Sequence, residues 1–250
     1  MSHLIRAILF DLGGTLMFAR GAWDSVHERA DLALTQSLQA QGLELDTNTF
    51  AQRFRDRLHA YYSQRNKELY ETTYMSVLEE MLMDDGHKNI TGAGVRSALD
   101  AMFAVTQSNW TLEEDTIPTL TQLESSGYCM GIISNAGDHK DVLQLVERFH
   151  LRHFFDFVLT SAACYYRKPH PRIFELALAH WNIPASKAIM VGDTLEADIM
   201  GAHKAGLLGI WVTRRAQPNA DDLQRITPDF SLRGLNELLP TLEQINAARV

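Results

Sequence analysis

Five short stretches of the chain are apolar almost without interruption: 6–10, 129–133, 157–159, 188–191 and 209–212. Each is too short for a helix, and none alternates apolar with polar residues. They predict strands buried on both faces, as in a parallel sheet. Helical patterns separate the later ones. Residues 119–125 stop ahead of Gly127, a natural helix C-terminal glycine. Pro171 stands where a first helical position belongs, ahead of 172–181, and the pattern at 198–205 stops at Gly206. Strands alternating with helices predict an α/β fold built on a doubly wound, Rossmann-like parallel sheet.

One segment breaks the alternation. Between the first two strands lie roughly a hundred residues of helical pattern, far more than an ordinary crossover needs. Apolar residues recur there in four stripes. They are Val26, Ala30, Leu34 and Leu38; Phe50, Phe54 and Leu58, with Tyr61 following; Tyr74, Leu78, Met81 and Leu82; and Val95, Leu99, Met102 and Phe103. Such stripes face a core. Asp84, Asp85 and Gly86 close the third helix. An all-helical domain spanning 18–110 is therefore expected, inserted into an α/β domain made of 1–17 and 111–250.

Composition adds exclusions. The 250 residues are 46% hydrophobic and 22% charged, which rules out disordered and collagen-like architectures. Lysine plus arginine number 23 against 31 aspartate plus glutamate, a net charge of -8, so neither nucleic acid nor an anionic membrane is expected as a partner. No apolar run reaches bilayer length. Residues 1–10 carry one basic residue and lead straight into Asp11, unlike a signal peptide. Cys129 and Cys164 are too few for a disulfide framework or a cysteine-built zinc site, and are expected to be small buried residues in a reducing, cytoplasmic compartment. Nothing in the pattern specifies an oligomeric state. Phosphate-binding loops of the Gly-Lys-Ser/Thr kind and dinucleotide glycine signatures are both absent, which removes kinases and dehydrogenases.

Ligands bind outside the carboxyl ends of an open parallel sheet, so the residues following each strand hold the candidate chemistry. After the first comes Asp11-Leu12-Gly13-Gly14-Thr15. A charge ending an apolar strand is costly unless partnered or set in a cleft; an aspartate capping the next turn is the plainer alternative. After the second comes Ser134-Asn135-Ala136-Gly137-Asp138, whose hydroxyl and free N–H groups suit a phosphate oxygen, although an ordinary strand-to-helix turn reads alike. Ahead of the fourth, Lys168 lies between Arg167 and Pro169 near a helix start, where a cation is misplaced for stability. The fourth is followed by Gly192-Asp193-Thr194-Leu195-Glu196-Ala197-Asp198. With strands one and four as neighbours, Asp11, Asp193 and Asp198 would crowd one cleft. Their repulsion would protonate one of them unless a hard divalent cation, Mg2+, shares them. Lys168 would balance the remaining charge.

The ordered set of Asp11-Leu12-Gly13-Gly14-Thr15, Ser134-Asn135, Lys168-Pro169 and Gly192-Asp193 with Asp198 resembles the haloacid dehalogenase-like superfamily of hydrolases. The helical insertion resembles that family's C1-type cap. The resemblance implies a magnesium-dependent phosphatase acting on a small phosphorylated metabolite. Asp11 would be the nucleophile that takes the phosphoryl group, and would bind the metal through its other oxygen. Ser134 and Asn135 would bind substrate, and Lys168 would bind the phosphate and steady Asp11. Asp193 would be a metal ligand, with Asp198 a ligand or its outer partner and the Gly13 carbonyl a further ligand. Thr15 would brace the turn. One position departs from the pattern. The family's phosphatases usually carry a second aspartate, the general acid and base, where this chain has Gly13. That loss leaves two further readings: a 2-haloacid dehalogenase, whose halide leaves unprotonated, and a weakened protein that only binds a phosphorylated ligand.

Other features are weaker. Arg53, Arg55, Arg57, Arg65 and Lys67 make a locally basic helix, either a solvated face or a greeting for an anionic substrate. His139 is a faint candidate for the missing acid, His170 and His203 lack metal-ligand spacing, and Trp23 is a packed aromatic or a pocket wall.

Overall fold

Ala7, Ile8, Leu9 and Phe10 are fully buried, which is possible only for a central strand covered on both faces. In the computed structural model, which describes residues 4–248, this strand (β1, Ala7–Phe10) lies between two parallel partners, β4 (Cys129–Ser134) and β6 (Ala188–Gly192). Phe10 is in register with Ile132 on one side and Val191 on the other. β5 (Phe157–Thr160) extends the sheet beyond β4, while β7 (Leu208–Val212) and β8 (Phe230–Leu232) extend it beyond β6. The six-stranded order is β5-β4-β1-β6-β7-β8, and every pairing is parallel. The chain winds outward on one side of β1 and then returns to build the other. The carboxyl ends of β1, β4 and β6 therefore flank the point where the winding reverses, the place where such sheets bind ligands.

Alternation along β1 divides the core. Ile8 and Phe10 face one layer with Leu120, Leu145 and Leu242, whereas Ala7 and Leu9 face the other with Ile173 and Phe174. The helix expected at 198–205 begins earlier, at Leu195. Its first part is the π-type turn Leu195–Met200, followed by Gly201–Lys204, and in it the Thr194 N–H donates to Asp198 Oδ2 at 2.9 Å. β8 was not anticipated: Phe230-Ser231-Leu232 is short, and its exposed serine interrupts the apolar pattern.

The long insertion forms α1 (Asp24–Gln39), α2 (Thr47–Glu68), α3 (Tyr74–Asp84) and α4 (Gly92–Gln107). The stripes meet in a separate core containing Leu34, Leu38, Phe54, Leu78, Leu82 and Leu99. A two-stranded antiparallel ribbon joins it to the sheet, β2 (Met17–Ala19) against β3 (Trp110–Leu112), with Phe18 opposite Thr111. Each of its strands is too short to leave a periodic signature; α5 (Thr116–Ser125) follows β3.

Two expectations need correction or limitation. Both cysteines are free, but Cys129 is exposed and Cys164 only half-buried. Cys129 opens β4, where the chain emerges from the turn at Gly127, and the sheet buries only the residues after it. Met1, Ser2 and His3 of the leader reading lie outside the described residues, among which no helix is long and apolar enough to cross a membrane.

Leu78 is fully buried in the insertion's core. Leu78→Ala is expected to cost about 2–5 kcal/mol, read as a lower urea midpoint at unchanged slope. A change within about 0.5 kcal/mol would contradict this packing.

Candidate active site

Three carboxylates and one ammonium meet at the carboxyl ends of β1 and β6. Lys168 Nζ donates to Asp11 Oδ1 at 2.6 Å, to Asp198 Oδ1 at 2.7 Å and to the Ile133 carbonyl at 2.9 Å. All three ammonium protons are thereby used, and the side chain is only 2% exposed. Asn135 fixes the lysine from behind: its Nδ2 donates to the Lys168 carbonyl and its Oδ1 accepts from the Lys168 N–H, both at 2.8 Å. The Asn135 side chain, expected on the substrate, is thus occupied in positioning Lys168. Asp11, Asp193 and Asp198 each present an oxygen, all within 4.8 Å of one another.

Two glycines make that approach possible. Gly14 has φ +86°, and a Cβ there would lie 2.3 Å from Asp193 Oδ2. A Cβ at Gly192 would lie 2.2 Å from Asp198 Oδ2. The β1 turn is held by backbone bonds, Gly14 N–H to the Met17 carbonyl at 2.7 Å and Leu16 N–H to the Leu12 carbonyl at 2.9 Å. Thr15, expected to brace it, is buried with a hydroxyl that has no hydrogen-bond partner among the described residues.

Electrostatics follow from the geometry. Burial pushes Asp11 up to about 6, with the Lys168 charge pulling against it and Asp198 adding to it. Burial, then Asp11 and Asp198, push Asp193 up to about 7. For Lys168, burial works against the charge, but Asp11 and Asp198 outweigh it and hold the ammonium above its usual range. With all three acids ionised and Lys168 charged, two negative charges are uncompensated. A hard divalent cation fits this all-oxygen set. Asp198 already accepts at both oxygens, from Lys168 and from the Thr194 N–H, whereas Asp193 forms no ion pair among the described residues and accepts only the Thr194 hydroxyl, at 3.3 Å, from a side chain.

A cavity of about 280 Å³ adjoins this cluster, lined by Asp11, Gly13, Ser134, Lys168 and Asp198 and also by Trp110 and Asp141. A second, of about 410 Å³, lies among the insertion's helices, lined by Trp23, His27, Arg55, His59 and Tyr74, and again by Trp110 and Asp141. Trp23 is thus both wall and packed aromatic, edge-on to Trp110 at 5.7 Å. The basic residues of α2 are largely paired: Arg53 with Asp85, Arg55 with Asp31, Arg57 with Asp84. The Arg65 side chain lies outside the described residues. His139 bonds Thr160 at 3.0 Å and lines neither cavity; His203 pairs with Asp229, and the His170 ring accepts from the Arg172 N–H. Sequence reading missed Trp110, Asp141 and Trp211, whose Nε1 donates to the Asp193 carbonyl at 2.8 Å. Only Asp141 had a usable signal, sharing a helical face with Leu145 in the first turn after Ser134-Asn135.

A strand-end aspartate locked to a buried lysine thus lines a cavity at the carboxyl ends of an α/β sheet, the usual ligand position of such sheets. Residues 5–206 match the family model of haloacid dehalogenase-like hydrolases, and the chain belongs to that family of hydrolases. A glyceraldehyde 3-phosphate phosphatase of Methanopyrus kandleri is 27% identical over 248 residues, 97% of this chain and 99% of that protein. A ribulose-1,5-bisphosphate 5-phosphatase of Halopiger xanaduensis is 30% identical over 207 residues, 80% of this chain and 82% of that one. Among solved structures, a 2-haloacid dehalogenase from Pseudomonas syringae superposes with a TM-score of 0.68 at 22% identity, covering 96% of this chain and 99% of that one. That likeness shows the shared fold.

Asp11 and Asp193 hold protons more tightly in the folded chain than in the unfolded one, where they titrate near 3.8. Their contribution to stability is therefore full below the unfolded value and is lost as pH rises through about 6 and 7. The metal-free protein should lose melting temperature between about pH 4 and 7, and the gain on adding Mg2+ should grow over the same window. Asp193→Asn should flatten both trends. A Mg2+ gain independent of pH would contradict the assignment.

Proposed function

We propose that the chain is a magnesium-dependent phosphatase that hydrolyses a small phosphorylated metabolite through a phosphoryl group carried on Asp11. The observation that carries this reading is the cluster of Asp11, Asp193 and Asp198 within 4.8 Å, with Lys168 bonded to two of the three. The phosphatase names of two relatives spanning most of the chain support it. A halide-displacing site needs no such crowding of acids.

Asp11, Asp193 and the Gly13 carbonyl would hold the cation, with Asp198 behind them anchoring Lys168. When bound, the cation supplies the missing positive charge and stabilises the phosphoryl oxygens during transfer. Lys168 keeps Asp11 ionised and oriented, and its charge faces the incoming phosphate. Ser134, the last residue of β4, lines the same cavity and binds a phosphoryl oxygen through its hydroxyl.

Residues 18–110 act as a cap. Four contacts among the described residues tie α4 to the helix after β4 (α6, His139–Arg148) and the residue before it: Arg96 to Asp138, Lys140 to Asp100, and Gln107 Nε2 to both Asp141 Oδ1 and Gln144 Oε1 at 2.9 Å. Glu71, ahead of α3, accepts from Ser161 Oγ at 2.5 Å and pairs with Arg167. In this closed arrangement the cap excludes bulk water from the phosphorylated aspartate, and substrate entry requires these contacts to part.

Phosphate release should be measured across aryl, acyl, sugar and nucleotide monophosphates, with Mg2+ and with chelator. Turnover should require the metal and fall on the order of a thousand-fold or more in Asp11→Asn. Chelator-resistant halide release from 2-chloropropionate, with no phosphate release, would overturn the proposal.

A further inference from the structure

We propose that Asp141 is the general acid and base of this site, doing from α6 what no side chain can do at Gly13. The inference rests on the phosphatase reading above.

In-line attack by Asp11 drives the leaving oxygen away from the β1 end, across the inner cavity and toward the insertion. An acid must stand on that far wall to protonate it. A Cβ at Gly13 would point at the Trp110 ring, 3.1 Å from Cη2, so the space beside the β1 turn belongs to the tryptophan. Trp110 and Asp141 are the two residues that line both cavities. A substrate with its phosphoryl group in the inner cavity and its organic group in the outer one would run alongside them. Of that pair, only Asp141 carries a transferable proton.

The carboxyl is built for the task. Gln107 Nε2 donates to Oδ1 at 2.9 Å, and the Asp141 N–H donates to Asp138 Oδ1 at 2.9 Å, so the side chain is anchored at one oxygen. Oδ2 accepts no hydrogen bond from the described residues. Burial, with the Asp138 charge adding to it, pushes the group up to about 6, against the Gln107 bond and the Arg96 charge. It can therefore hold a proton near neutrality and release it again. Its remaining charged surroundings are Lys168 with Asp11 and Asp198 in the inner cavity, where negative charge is in excess, and the Arg55–Asp31 pair in the outer. His27 and His59 also line the outer cavity but are absent from the inner one.

The steps balance. An Asp11 oxygen bonds to phosphorus as the ester P–O bond breaks; the leaving oxygen keeps that electron pair and takes the Asp141 proton, and the alcohol departs. The Asp141 carboxylate then takes a proton from water as the hydroxyl bonds to phosphorus. The P–O bond to Asp11 breaks, which frees phosphate and restores Asp11 as carboxylate and Asp141 as acid.

The test is kcat/KM for an alkyl phosphate and for 4-nitrophenyl phosphate, whose leaving group needs no proton. It is measured in the full-length wild type, in the near-isosteric Asp141→Asn and in Asp141→Ser, with melting temperatures to establish folding. Both variants should lose roughly a hundred- to ten-thousand-fold on the alkyl ester and less than about threefold on the nitrophenyl ester. A purely structural role would lower both by one common factor. Equal loss on both esters, or no loss on either, overturns the role of Asp141 and leaves the phosphatase reading standing. A wild type that releases no phosphate from any ester overturns both.

Discussion

The three bonds of the Lys168 ammonium are the constraint on which the rest of the site depends. Burying one ammonium among Asp11, Asp198 and a backbone carbonyl is tolerable only because every donor is matched. That match needs β1 and β6 side by side, β4 delivering the Ile133 carbonyl, and Asn135 gripping the lysine backbone. The winding reversal at β1 is what brings these elements to one point. The sheet topology is thus the scaffold of a charge cluster as much as of a core.

That cluster is incomplete as protein alone. One ammonium cannot neutralise three carboxylates; burial first, and the neighbouring carboxylates after it, raise the proton affinities of Asp11 and Asp193. A structural ion pair would have been arranged to cancel. A surplus of negative charge, held open beside a cavity by Gly14 and Gly192, suits a site that recruits a cation and then an anion.

Asp11, Asp193 and Asp198 were legible in the sequence because each lies next to, or closely follows, a strand whose apolar run marks it as buried on both faces, and Lys168 because it is a cation held beside Pro169 near a helix start. The insertion was legible because its four stripes are long and regular. What escaped were features made by opposing surfaces. Trp110 belongs to a ribbon strand three residues long, and Asp141 belongs to a core helix whose facing partner, Gln107, is 34 residues earlier in the insertion. The α2 arginines looked available because their partners, Asp31, Asp84 and Asp85, come from other helices. Period and motif report on one element at a time; pairing across elements is a property of the packed chain.

The step that defines the proposed reaction is transfer of a phosphoryl group to the Asp11 carboxylate. It is tested most directly by quenching the enzyme in acid during turnover of a phosphate monoester with Mg2+ and mapping the digested peptides by mass. One added phosphoryl group is expected, confined to the peptide containing Asp11 and removed by neutral hydroxylamine. Turnover with that peptide unmodified, or with the phosphoryl group on another residue, would contradict it.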